Sequence, residues 1–285
     1  MTTTEKEYDL TRVHEASLEL LKEIDRICRK YRIRYALDSG TLLGAVRHKG
    51  FIPWDDDADV IFTRPQYEMF LKVAERELPE GMSLLRPEQL RDGRAFYDFT
   101  ARVIYENSRM HPEEDSRMQY FEGKLNHLWV DLFILDRLPD NPAAASATLF
   151  LQKVIYGLSM AHRNDIDYSK YSPMDKLRVR VLSTAGRLIP MPLLYKLQRM
   201  VARKDRKKKT KYWYCSNYAP DYFYVKEESA WCEKVIDVPF EDTVLMAPAG
   251  FDPILKLLYG DYMQLPPEEK RVPAHSTIEI EVQDR

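Results

Sequence analysis

A chain of 285 residues with 45% hydrophobic and 31% charged side chains suits one sizeable domain, or one domain with a helical addition, and excludes a disordered protein. Ten glycines against 18 tyrosines and 11 phenylalanines exclude a linker protein, and three widely spaced cysteines, Cys28, Cys215 and Cys232, exclude a disulfide framework or a CxxC zinc site. The net charge of −2 conceals a basic block at 176–211, with 13 lysines and arginines against one acid, Asp205; the remainder holds 30 basic and 44 acidic residues, so one surface for an anionic partner stands against an acidic body.

The polar start, MTTTEKEYD, lacks the apolar core of a signal peptide. The best membrane-span candidate, 143–161, is interrupted by Gln152 and Lys153. The expectation is a cytoplasmic protein, at most attached to the inner face of the cytoplasmic membrane. Residues 9–31 place Val13, Leu20, Leu21, Ile24, Ile27, Cys28 and Tyr31 at helical spacing, which predicts an amphipathic helix. A short strand is expected at 34–37. Ser39-Gly40-Thr41 breaks it and caps a helix over 42–48, which Gly50 ends. A second strand at 59–62 leads to a helix at 65–77 with Pro65 in its first turn. Apolar or alternating runs predict strands at 82–86, 96–104 and 128–135, and helices are expected at 142–161, 173–188 and 191–209. A strand pair around 213–215 and 222–225 and a helix at 251–260 follow. Strands in the first half and helices in the second predict an α+β domain with a helical appendage.

The chemistry concentrates in residues 38–59, DSGTLLGAVRHKGFIPWDDDAD. Asp57 and Asp59 are two apart at the start of a strand, so their side chains share a face. Two such carboxylates repel unless a cation lies between them. Magnesium suits the pair, because it takes few protein carboxylates and keeps positions for water and phosphate; manganese is the alternative. Asp55 has the same parity from the approach loop and is a third ligand or an outer partner, whereas Asp56 is expected to point away. Ser39, Gly40 and Thr41 lie between strand and helix. There glycine permits close backbone approach to a phosphate, the helix N-terminus offers N–H groups, and Thr41 adds a hydroxyl. Arg47 and Lys49 add positive charge further along. Asp131 is an isolated acid in an apolar run, costly to bury without a partner; a nearby metal removes that cost, and a capped or hydrogen-bonded strand-end aspartate is the blander alternative. A phosphate cradle followed by a carboxylate pair meets the needs of metal-assisted phosphoryl transfer. A solvated acidic loop is the blander alternative. A calcium loop fails, since Val60 and Gln66 stand where it needs Gly and Glu. A DxD glycosyltransferase using a sugar nucleotide shares the acids, but the Gly-Thr turn before them argues against it.

Residues 40–59 (GTLLGAVRHKGFIPWDDDAD), 129–136 (WVDLFILD) and 258–271 (LYGDYMQLPPEEKR), with His275 beyond, resemble the signature of the LicD family, which also takes in fukutin and fukutin-related protein. The resemblance implies a nucleotidyltransferase fold related to DNA polymerase β, with magnesium held by Asp57, Asp59 and Asp131. It implies transfer of phosphocholine, or a similar phospho-alcohol, from a CDP-activated donor such as CDP-choline to a hydroxyl of a lipopolysaccharide- or teichoic-acid-type glycan, with release of CMP. Asp55 or Asp131 is the expected general base. Arg47, Lys49 and Lys270 are expected to steady phosphate oxygens, and His275 either to act on donor or acceptor or to be structural. The implied organisation is a catalytic core at 1–140, a helical and aromatic acceptor-side region at 141–235, and a C-terminal segment at 236–285 that completes the site. Ala58 stands where the family usually has a larger aliphatic residue. The cysteine and histidine set of the zinc-finger insertion, found in relatives that use CDP-ribitol, is missing. A non-catalytic binding module of the same fold is the remaining alternative.

A quaternary ammonium is usually held by aromatic faces. The dense set Tyr212, Trp213, Tyr214, Tyr218, Tyr222, Phe223 and Tyr224 is the candidate, with an aromatic core as the blander reading. In 191–209, Leu193, Leu194, Leu197, Met200 and Val201 fall along one side among lysines and arginines. That pattern predicts peripheral contact of 191–211 with an anionic membrane carrying a lipid-linked acceptor, or a helix packed on the core with a solvated basic face. No RNA-binding motif accompanies Lys207–Lys209, so nucleic acid is not an expected partner.

Overall fold

A computed structural model describes residues 10–112, 114–273 and 281–282. Helix α1 (Thr11–Lys30) buries Val13, Leu20, Leu21, Ile24 and Ile27 as one stripe and carries Arg29 and Lys30 in its last turn, where cations favour the helix dipole. Strand β1 (Ala36–Leu37) leads into α2 (Ser39–Arg47), β2 (Ala58–Thr63) and α3 (Arg64–Glu77). Strands β3 (Met82–Leu85), β4 (Ala101–Tyr105) and β5 (Ser108–Arg109) precede α4 (Ser116–Tyr120), which the Asp115 carboxylate caps. After β6 (Leu128–Leu138) come the helices α5 (Pro142–Ser159), α6 (Pro173–Gly186) and α7 (Met191–Ala202). The chain continues through β7 (Tyr212–Cys215), β8 (Glu227–Glu228), α8 (Ser229–Cys232), the hairpin β9 (Val235–Phe240) and β10 (Thr243–Pro248), α9 (Phe251–Tyr259), and β11 (Glu281–Val282), which pairs with β5.

The α+β class is as expected. The main sheet runs β1-β2-β6-β4-β3, with β7 and β8 continuing beside the end of β6. β2 and β6 are parallel, and the other pairings are antiparallel. β6 is long enough to pair with β4 through 128–132 and with β7 through 135–138, on the edge away from β2. The registers put Asp59, Asp131 and Arg102 side by side on three strands, and neighbours in register share a face of the sheet.

The largest core joins α1, β2, β4 and β6 to Phe240, Leu245, Ala247, Ile254 and Leu255 from the C-terminal hairpin and α9. The hairpin is pinned to the loop after α2. Glu241 accepts a hydrogen bond from Phe51 N (2.9 Å) and donates its own N–H to Lys49 O (2.7 Å). A Cβ at position 50 would overlap the Glu241 carboxylate, so glycine there lets that carboxylate reach Phe51 N. A second core, including Phe96, Phe99, Ile155, Tyr156, Leu194 and Tyr195, lies under α5 and α7.

The structure departs from expectation in four places. The strand expected at 96–104 begins only at Ala101; Phe96 and Phe99 sink into the second core, and the Asp98 carboxylate turns the chain by accepting from Thr100 N (2.8 Å). Tyr222–Val225 is not a strand: Pro220–Tyr222 form a 3₁₀ turn, and β7 pairs with Glu227–Glu228 instead. The β9–β10 hairpin was not expected, since Asp237 and Pro239 interrupt its apolar pattern and its turn at Glu241, with φ 50°, lacks glycine. The helix over 191–209 stops at Ala202, and its apolar side faces inward: Leu194 and Tyr195 are buried and Leu197 and Val201 half-buried, while Leu193 and Met200 are exposed. Cys28, Cys215 and Cys232 are free thiols. Among the described residues no helix is long and apolar enough to cross a membrane.

Candidate active site

The chain leaves β1 at a sharp corner. Asp38 is buried and donates its N–H to Asp59 O (3.1 Å), which fastens the corner to β2. Ser39 then takes φ 48° to open α2, a left-handed value that an L-residue holds only when its surroundings fix it. Tyr218 supplies that fixing: its hydroxyl donates to the Asp38 carboxylate and lies 3.0 Å from Ser39 Oγ. Burial pushes the Asp38 carboxyl up, against the hydrogen bonds from Tyr218 and Ser39.

Thr41 does not face the site as expected. Its Oγ1 accepts from Asp59 N (2.8 Å) and so positions the acid. Gly40 earns its place differently too. A Cβ there would overlap Asp55 Oδ2, so the missing side chain admits the Asp55 carboxylate to the α2 corner. Asp55 is held through its backbone, with its N–H on Ile52 O (2.9 Å) and its carbonyl accepting from His14 Nε2 (2.7 Å).

Asp55, Asp57, Asp59 and Asp131 line one cavity of about 570 Å³ together with Ser39 and Gly40. Asp56 is buried away from it. Asp59 is 8% exposed, and its carboxyl is pushed well above the usual range, first by burial and then by Asp57, Asp131, Asp38 and Asp55. Asp131 already has two partners: Arg102 Nε lies 2.9 Å from Oδ1, and Trp129 Nε1 donates to Oδ2 (3.1 Å). Burial lifts Asp131 to about 6, with Arg102 pulling the other way. Arg102 also grips Asp98 and lies between the rings of Tyr97 (5.2 Å) and Trp129 (4.9 Å). Asp136, the other acid of β6, serves the fold by pairing with Arg64 of α3 and accepting from Ser216 Oγ (2.6 Å).

Among the described residues no three histidine, cysteine or acidic side chains form a ready-made metal cage. The acids instead face a common space, with Asp57 and Asp59 on the cavity wall and Asp131 committed to Arg102 and Trp129. That donor set fits magnesium, which binds through one or two carboxylates and takes its other ligands from water and phosphates.

Aromatic side chains make up much of the remaining wall, beside Asp98, Thr100 and Asn217. Of the dense tyrosine-rich stretch, Tyr218, Tyr222 and Tyr224 line the cavity, joined by Tyr97, Tyr156 and Tyr259. Trp213, Tyr214 and Phe223 are buried elsewhere, and Tyr212 packs against buried Tyr214 and Leu138. Arg47, Lys49 and Lys270 do not line the cavity. Arg47 donates to Tyr262 O (3.0 Å) and His48 Nε2 (2.9 Å), the exposed Lys49 sits over Val46 O (3.4 Å), and Lys270 is exposed in the 3₁₀ turn Glu268–Lys270. His275 lies outside the described residues. Among the described residues on the cavity wall the cation is Arg163, whose Nη2 donates to Tyr97 O (2.6 Å) and Tyr156 Oη (2.8 Å). Sequence reasoning missed Arg163, which stands in a polar connection with no motif. It also missed Arg102 and Asp98, although a lone charge in the apolar run ARVIY is the same signal that exposed Asp131.

Residues 32–177 match the family described as LicD/FKTN/FKRP, nucleotidyltransferase domain. The chain is 30% identical over 274 residues to the lipopolysaccharide cholinephosphotransferase LicD of Haemophilus influenzae, covering 90% of this chain and 92% of that protein. Uncharacterized proteins of Rickettsia typhi and Rickettsia prowazekii are each 46% identical over 56 residues, which is 19% of this chain and 18% and 21% of theirs. A match that runs through nearly the whole length, with the corner and its acids inside the family's domain, establishes that this chain belongs to the LicD family.

Proposed function

We propose that this chain transfers phosphocholine, or a similar phospho-alcohol, from a CDP-activated donor to a hydroxyl of a lipopolysaccharide- or teichoic-acid-type glycan, releasing CMP. The observation that carries the reading is the meeting of Asp55, Asp57, Asp59 and Asp131 with the Ser39–Gly40 corner on one tyrosine-walled cavity. The cholinephosphotransferase activity for which the Haemophilus relative is named supports the same class of reaction.

In this reading the fold is a polymerase-β-like nucleotidyltransferase. Residues 1–140 and 236–285 frame the chemistry, and 141–235 receives the acceptor. Asp57 and Asp59 hold magnesium or manganese, with Asp131 beside them. When bound, the ion supplies positive charge to the donor diphosphate and to the leaving CMP. The Ser39–Gly40 corner and the first turn of α2 receive the diphosphate. Arg163 adds the cationic group that Arg47, Lys49 and Lys270 do not bring to the cavity. Arg102 and Trp129 hold Asp131 in place. Asp55, whose carboxylate lies against the Gly40 corner where the diphosphate is received, is the base in this reading. The glycan hydroxyl oxygen bonds to the phosphorus that bears the alcohol. Its proton passes to Asp55, and the phosphoanhydride electrons leave with CMP. Tyr218, Tyr222 and Tyr224 offer faces to the choline cation.

The test is CMP release from CDP-choline, CDP-ethanolamine, CDP-glycerol and CDP-ribitol, with and without magnesium. Metal-dependent release from one of them is expected. Release of UDP or GDP from sugar nucleotides instead makes the chain a glycosyltransferase, and no release from either class makes it a binding module.

A further inference from the structure

α6 wears its apolar side outward. Met174, Leu177 and Val181 are each 59% exposed, and Leu188, just past the helix end, is 87% exposed. At 3.6 residues per turn these four positions fall within one narrow stripe. The helix cannot roll to hide them. Ser183 and Gly186 are buried on its other side, Val179 packs against the second core, and Gly157 of α5 accommodates Leu182. A Cβ at 186 would overlap Leu158 O, so α6 lies close against α5 with its stripe fixed outward.

The surroundings of the stripe are basic. Arg178 lies on one flank, and Lys176, Arg180 and Arg187 lie on the other. The acid of the helix, Asp175, is taken up by Ser172 and by Arg178 (3.0 Å). The stripe also falls at the start of the 176–211 block, with its 13 basic residues against one acid. An apolar stripe rimmed by lysine and arginine is the arrangement that seats a helix in the headgroup region of an anionic bilayer.

We infer that α6, with Leu188, is a docking surface for an anionic phospholipid membrane. The sequence pattern pointed to the next helix, but α7 turns Leu194 and Tyr195 into the core. With no described helix able to span a bilayer, this attachment is peripheral. Its purpose rests on the transfer reading above, since a lipid-linked glycan acceptor lies at such a surface, but its test reads vesicle binding and needs no donor or turnover.

The experiment is flotation of the full chain with phosphatidylcholine vesicles, with and without phosphatidylglycerol, at low and high salt. Phosphatidylglycerol-dependent binding that salt weakens is expected. Leu177→Asp with Val181→Asp is expected to cut it at least roughly tenfold, with an unchanged melting temperature because both positions are exposed. Arg180→Glu with Arg187→Glu is expected to weaken binding at low salt. Absence of phosphatidylglycerol-dependent binding at low salt overturns the inference, as does undiminished binding by the Leu177/Val181 variant. A wild-type dimer that this variant dissolves, with vesicle binding intact, also overturns it and assigns the stripe to contact between two copies.

Discussion

Asp59 is the residue at which the proposed use and stability oppose each other. Its carboxylate is buried among the charges of Asp57, Asp131, Asp38 and Asp55, each of which resists its ionisation. Asp59→Asn removes that repulsion at nearly constant shape. It is expected to abolish transfer, to raise the melting temperature of the metal-free protein by roughly 2–5 °C, and to lack the rise with magnesium that is expected of the wild type. Calorimetry with and without magnesium checks this, and a melting temperature below wild type contradicts it. Glu227 presents a second buried charge. Burial and the nearby Asp38 push its carboxyl up to about 7, while the Cys232 thiol donates to it (2.8 Å). The folded chain therefore binds this proton more tightly than the unfolded chain does. The resulting stability is complete below pH 4.5 and is lost as pH rises through about 7. Glu227→Gln is expected to be more stable than wild type at pH 8 by roughly 2–3 kcal/mol and equal to it near pH 4.5, as read by urea denaturation at both values. The acids at 55–59 and Asp131 were legible because charge stands out against an apolar strand. The Asp38–Tyr218–Ser39 corner was not, because its partners lie 180 residues apart in sequence and only the folded sheet brings them together.

Among the elements, α1, α2, β2, α3 and α9 could be read directly, since each carries its own periodicity and its own stop. The β9–β10 hairpin carries neither: it pairs six residues with six across a turn without glycine, and Glu241 is fixed by its bonds to Phe51 and Lys49. Tertiary contact there overrides a weak local signal. The α5–α6 pair is set by close approach at two glycines, Gly157 against the Leu182 side chain and Gly186 against the Leu158 backbone, a property that periodicity does not display. Gly186→Ala puts a methyl group against Leu158 O and Ala161, and backbone cannot yield as a side chain can. The expected cost is about 1–3 kcal/mol, measured by chemical denaturation, and an unchanged midpoint contradicts the close packing.

At the scale of the whole molecule, the family match ends at residue 177, yet the main core is completed by Phe240, Leu245, Ala247, Ile254 and Leu255, all nearly inaccessible to solvent. Each of the four larger side chains contributes roughly 1.5–3 kcal/mol on burial, against a total stability of about 5–15 kcal/mol. Truncation before Val235 is therefore expected to give a chain without a cooperative melt, and a soluble fragment with a sharp transition contradicts it. The same folding brings Ser39, Gly40, Asp55, Asp57, Asp59, Asp131, Tyr218, Tyr222 and Tyr224 onto one cavity, and we propose that this cavity holds a divalent ion against a nucleotide diphosphate. Crystals grown with manganese and a CDP-alcohol, examined by anomalous scattering, test it most directly. The expected result is a manganese peak between the Asp57 and Asp59 carboxylates with the diphosphate at the Ser39–Gly40 corner; a manganese peak elsewhere, or a diphosphate bound away from that corner, contradicts it.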